Sequence, residues 1–127
     1  MVRTALVIGI NQYGSERSLQ APARDAELIA RRLEQDGFWN VIRLPEVTLN
    51  NGQRQISRER PVTKDELQEA IENLFYPKTE RNIPDAALLY FSGHGVRQEG
   101  RRTKGFLATS GFSEQLGLFL KRFTGTA

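Results

Sequence analysis

Cysteine is missing altogether from these 127 residues, and histidine occurs once. Without cysteine there is no disulfide framework, so a reducing cytoplasm is the expected location. One histidine and no thiol leave only carboxylates as further metal ligands, so neither a zinc site nor any other metal or cofactor is expected. No apolar run approaches the ~20 residues of a membrane-spanning helix, and no membrane partner is expected. The opening "MVRTALVIGI" carries Arg3. Its apolar stretch is too short for a secretory leader and runs into "NQYG", not into a small-residue cleavage site.

Charge of one sign is scarce too. Eighteen basic residues face 15 acidic ones, a formal charge of only +3. The bases are interleaved with acids, as in Arg54–Arg58–Glu59–Arg60 and Arg97–Glu99–Arg101–Arg102–Lys104. No aromatic residues alternate with them, so solvated loops are expected and a nucleic-acid partner is not. "GINQYG" (Gly9–Gly14) lacks G-x-G-x-x-G spacing, and no G-x-x-x-x-G-K-[ST] phosphate loop occurs, which argues against nucleotide binding. Ser92 lies two residues before the histidine, but no G-x-S-x-G elbow accompanies it, so a serine nucleophile is not expected.

What is present is ordinary for a soluble globular domain: 39% apolar and 26% charged residues, in a chain long enough for one core. "ALVIGI" (Ala5–Ile10) reads as a strand buried on both faces. Pro22 opens a helix whose stripe is Ala26, Ile29, Ala30 and Leu33, and Gly37 stops it. "WNVIRL" (Trp39–Leu44) is a second strand, and residues 46–62 read as a long polar surface loop. Thr63-Lys64-Asp65-Glu66 is a capping box ahead of the stripe Leu67, Ala70, Ile71 and Leu74. Ala86–Phe91 is a third strand. The order β–α–β–α–β predicts a parallel α/β sheet with helices on both faces. "GFLATS" (Gly105–Ser110) fits the return arm of a hairpin. Leu116, Phe119, Leu120 and Phe123, at i, i+3, i+4 and i+7, predict a short final helix.

The third strand delivers "SGHG". In open α/β sheets ligands bind beyond the carboxyl ends of the strands, and His94 sits at such an end, as do Asn11 and Gln12 after the first strand. Gly93 and Gly95 permit backbone conformations denied to other residues and close approach of a substrate. The Gly95 N–H then has the chemistry of an oxyanion donor. Two readings of His94 stand at this point: a catalytic imidazole, or a loop histidine satisfied by a nearby carbonyl. Asp25 also has two readings, a carboxylate favoured by a helix dipole or one that acts behind the active face.

"ALVIGINQY", "LQAPARDA" (Leu19–Ala26), "LEQDGF" (Leu33–Phe38) and above all "LLYFSGHG" (Leu88–Gly95) together resemble the caspase-like cysteine peptidases, nearest to their bacterial, metacaspase-like branch. The resemblance spans Ala5 to Ser110. It implies an α/β, caspase-like three-layer fold with a mainly parallel sheet of six strands. It implies cysteine-type endopeptidase activity through a Cys–His dyad, with His94 as the dyad histidine and Gly95 as an oxyanion donor. The chemical logic is general: a thiolate attacks, and a histidine takes its proton. In the family the cysteine follows the histidine by roughly 50 residues, which falls beyond Ala127. Relatives also often carry an Asp where this chain has Gly111.

The expectation is therefore a single domain over residues 1–127, incomplete at the C-terminus by truncation or frameshift and inactive alone. In the family the strand ending at His94 is central and pairs with the strand that bears the cysteine. Without that neighbour, Ala86–Phe91 is expected to present an apolar edge open to self-association or to a complementing C-terminal segment. A completed domain would act on a peptide or protein substrate. The competing readings are a non-catalytic caspase-like interaction module and an unrelated α/β domain in which "SGHG" is incidental.

Overall fold

The computed structural model describes residues 2–13, 20–78, 83–98, 104–110 and 120–122. Strand β1 (Arg3–Gly9) is the middle of a three-stranded parallel sheet. It lies between β2 (Trp39–Leu44) and β5 (Ala86–Ser92). The register pairs Leu6 with Ile42 on one side and with Leu89 on the other. Every residue of β1 from Thr4 to Gly9 is buried, as an apolar run covered on both faces should be.

The side chains of β1 alternate between two cores. Leu6, Ile8 and Ile10 pack with Leu67 and Leu74 of helix α2 (Lys64–Phe75). Ala5 and Val7 pack with Ala23, Ala26 and Ala30 of helix α1 (Ala21–Asp36). The sheet is thus sandwiched between two helices, the three layers that the strand–helix order predicts. Helix α1 approaches β1 closely because both surfaces are small: alanines on the helix, and Gly9 on the strand. A Cβ at Gly9 would stand 2.6 Å from the Pro22 carbonyl oxygen and 2.8 Å from the Ala26 Cβ.

The helix ends follow from local chemistry. Gly37 takes φ +76°, the left-handed conformation that glycine adopts at least cost, and its N–H bonds to the Glu34 carbonyl at 3.0 Å. At α2 the capping box forms as expected. Thr63 Oγ1 accepts from the Glu66 N–H at 3.1 Å, and the Thr63 N–H donates to Glu66 Oε1 at 3.3 Å.

Two expectations need correction. Residues 46–62 are not a plain surface loop. They contain an antiparallel hairpin of β3 (Glu46–Thr48) and β4 (Arg54–Ile56). Ile56 is buried in the core beside α1, and Val62 is buried in the core beside α2. Two apolar anchors in a polar stretch suffice to pin it. The predicted final helix also fails where it is described: Leu120–Arg122 is strand β8. It pairs antiparallel with β7 (Lys104–Ala108), so tertiary pairing overrides a weak local periodicity. Leu116, Phe119 and Phe123 lie outside the described residues, as does Gly111.

The hairpin reading of "GFLATS" holds. Strand β6 (Gly95–Gln98) pairs antiparallel with β7, and β6-β7-β8 form a second three-stranded sheet. Ser110, just after β7, is stapled to the entry of α2. Its N–H donates to the Val62 carbonyl at 2.9 Å, and its Oγ accepts from the Val62 N–H at 2.7 Å. Six strands in one sheet, as the resemblance implies, are not seen among the described residues. The parallel sheet has three, with β5 at one edge. No residue of β5 is fully buried.

Candidate active site

Gly93 and His94 join β5 to β6 at the carboxyl end of the parallel sheet. Beside them runs the segment that leaves β1. The Ile10 N–H bonds to the Ser92 carbonyl at 3.0 Å and carries the β1–β5 pairing one step past the strand. This brings Tyr13 against His94. The Tyr13 hydroxyl accepts from the His94 backbone N–H at 2.7 Å. The two rings meet edge to face, with centroids 4.3 Å apart and planes at 67°. Tyr13 is only 1% exposed. Burial pushes its phenol up to about 12, against the smaller opposing effect of the His94 amide. The hydroxyl therefore stays protonated at neutral pH.

Gly93 makes room for this contact. A Cβ there would overlap the Tyr13 hydroxyl and stand 3.0 Å from the Phe91 ring. Neither Gly93 nor Gly95 uses a positive φ, which corrects one of the two expected reasons for glycine here, the special backbone conformation. Gly95 is extended and opens β6 opposite Leu107. The imidazole itself shows one anomaly. Nε2 of His94 is buried and has no hydrogen-bond partner among the described residues. An unpaired polar atom in such a place costs about 1–3 kcal/mol.

The other candidates have structural employment. Asn11 is buried, and its Oδ1 accepts from the Ala23 N–H at 2.9 Å. It thereby caps α1 from a distance, and the residue in the cap position, Gln20, makes no side-chain cap bond. Gln12 donates to the Arg58 carbonyl at 3.4 Å. Asp25 is the fifth residue of α1, past the first turn where a helix dipole acts, and lies 3.8 Å from Arg24. Ser92 is paired with Gly9 inside β5. Among the described residues no His, Cys, Asp and Glu cluster suits a metal. No described helix is long and apolar enough to cross a membrane.

Tyr13 is the site residue that sequence reasoning missed. Its only local signal is an aromatic hydroxyl four residues past a strand end. A family model for the caspase domain matches residues 2–120. The chain belongs to the caspase domain family. No curated protein and no solved structure gives a match. The α/β architecture of this caspase domain, with its mainly parallel sheet, agrees with the family assignment.

Proposed function

We propose that this caspase domain carries the histidine half of a Cys–His endopeptidase centre, of the metacaspase-like kind that its sequence resembles. The 127 residues hold no cysteine, so the nucleophile has to come from outside them. The observation that carries this reading is the orphaned Nε2 of His94, buried at the ligand-binding end of the sheet. A buried imidazole nitrogen without a partner is suited to a group that arrives from elsewhere. In the proposed reaction the thiol proton passes to the imidazole, and the thiolate attacks the scissile carbonyl carbon. The Gly95 N–H stabilises the oxyanion. The imidazolium then protonates the leaving amine, and water releases the acyl group from sulfur.

The edge of β5 is the docking place that this reading assigns to the thiol-bearing strand. Its partly buried apolar residues Leu88, Leu89 and Phe91 are suited to burial under a further strand. Alone, the chain self-associates through this edge and hydrolyses no peptide; a sharp, reversible unfolding transition of a clean monomer counts against the first part. Cytoplasmic location fits the lack of cysteine.

A second reading, a non-catalytic caspase-like interaction module, is favoured by that same lack. One experiment separates the two. A cysteine-bearing caspase segment is added in trans, and cleavage of peptides with varied P1 residues is followed. Hydrolysis that depends on the segment and falls by about 100-fold or more in His94→Ala supports the peptidase. A folded complex that cleaves nothing overturns it in favour of the interaction module.

A further inference from the structure

We propose that Tyr13 is the positioning residue for the His94 imidazole. The inference rests on the peptidase reading for its purpose, but its geometry stands apart from it. Catalytic imidazoles are commonly oriented by a hydrogen bond at the ring nitrogen that does not face the reaction. Among the described residues Nε2 of His94 has no partner, and the peptidase reading keeps that atom for the incoming thiol, so it does not orient the ring.

Tyr13 constrains the histidine at both ends instead. Its hydroxyl takes the His94 backbone N–H at 2.7 Å, which sets the peptide plane from which the side chain departs. Its ring meets the imidazole edge to face at 4.3 Å, which narrows the rotamers that the imidazole can take. Tyr13 cannot swing aside, because it is packed into the core with Leu6, Ile8 and Ile10. The absence of a side chain at Gly93 completes the fit, since a Cβ there would overlap the hydroxyl. With that hydroxyl turned to a backbone amide, Tyr13 is not itself assigned a proton-transfer step.

The chain has one histidine, so its imidazole gives a single set of NMR signals. In the intact chain, Tyr13→Phe keeps the ring contact and removes the acceptor. The His94 amide is then expected to exchange about fivefold faster or more, and the imidazole signals to move. The Ile10 amide, bonded to Ser92, keeps its rate. Tyr13→Leu removes the ring as well, and the ring-current shift of the imidazole protons disappears. Unchanged His94 exchange and imidazole signals in Tyr13→Phe overturn the proposal. If Tyr13→Phe does not fold, Gly93→Ala displaces the hydroxyl from the other side and is read the same way. Unfolding of both variants marks Tyr13 as structural and also overturns it.

With the thiol segment supplied, Tyr13→Phe is expected to lower kcat about tenfold with KM unchanged. NMR effects without any wild-type hydrolysis refute the peptidase reading and leave the orientation of His94 by Tyr13 intact. Wild-type hydrolysis with no response to Tyr13→Phe does the reverse.

Discussion

Arg43 grips Glu27 with two hydrogen bonds of 3.0 Å, from Nε to Oε1 and from Nη2 to Oε2. The same guanidinium reaches Glu34 at 2.7 and 2.9 Å. The Arg43 side chain is 3% exposed, in the strand β2, and both carboxylates project from α1. Glu27 Oε1 also accepts from the Ile56 N–H at 2.7 Å, so one charge cluster ties helix, sheet and the β3–β4 hairpin together. A buried ion pair is a poor source of net stability, because desolvation offsets attraction. Its loss on one side is another matter.

Arg43→Ala leaves two carboxylates facing each other over a cavity. A loss of about 3–5 kcal/mol is expected in urea unfolding. Glu34→Ala, which removes a carboxylate that is 42% exposed, is expected to cost about 1 kcal/mol or less. Equal, small effects at both positions refute the view that Arg43 is the buried member on which the cluster depends.

The same cluster sets the response to acid. Burial alone raises the Glu27 carboxyl, but the Arg43 hydrogen bond, the Ile56 amide and Arg31 outweigh it and hold it below the ordinary 4.5. For Glu34 the Arg43 hydrogen bond is the largest effect and also lowers it. Folded values below the unfolded ones mean that the native state holds fewer protons. Their stabilisation is complete above pH 4.5 and is lost as pH falls through the lowered values. Unfolding free energy measured from pH 6 downward is expected to decline below pH 4.5, and to decline less steeply in Arg43→Ala. Parallel acid slopes in the two proteins reject this assignment.

Much of this was legible in the chain because it is local. The double burial of Ala5–Ile10, the apolar stripe Ala26, Ile29, Ala30 and Leu33 of α1 and the box at Thr63–Glu66 are short-range patterns with one physical solution. "SGHG" was legible as the end of a strand for the same reason. What stayed hidden depends on partners far away in sequence. Tyr13 meets His94 across 81 positions. Ile56 is pinned by a carboxylate 29 residues earlier, so a three-residue strand without any periodic signal escaped notice. Asn11 looked free for a ligand because the helix that it caps begins ten residues on.

Gly9→Ala tests the fit of α1 on β1. The added Cβ meets backbone at Pro22 and Ala23 as well as the Ala26 methyl, all within 2.9 Å. Backbone in a capped helix cannot yield as a flexible side-chain tip does, so the helix has to shift. A loss of about 1–3 kcal/mol is expected. Because Asn11 caps the same helix, the amide of Ala23 is expected to exchange faster in this variant. A neutral change in thermal unfolding shows that the helix rides loosely on the sheet.

Tyr13 gives the alkaline counterpart of the glutamates. Its phenol titrates near 12 in the fold and near 10 in the unfolded chain, so the native state holds the proton more tightly. A raised folded value contributes stability in full below pH 10 and loses it as pH climbs towards 12. Two units correspond to at most roughly 2–3 kcal/mol. In Tyr13→Phe this slope is expected to vanish, whatever the variant costs at neutral pH. Absorbance at 295 nm, ~pH 11, gives an independent reading, because tyrosinate absorbs there and a buried phenol contributes only after unfolding. If the wild type and Tyr13→Phe lose stability in parallel above pH 10, the hydroxyl is not shielded as its burial requires.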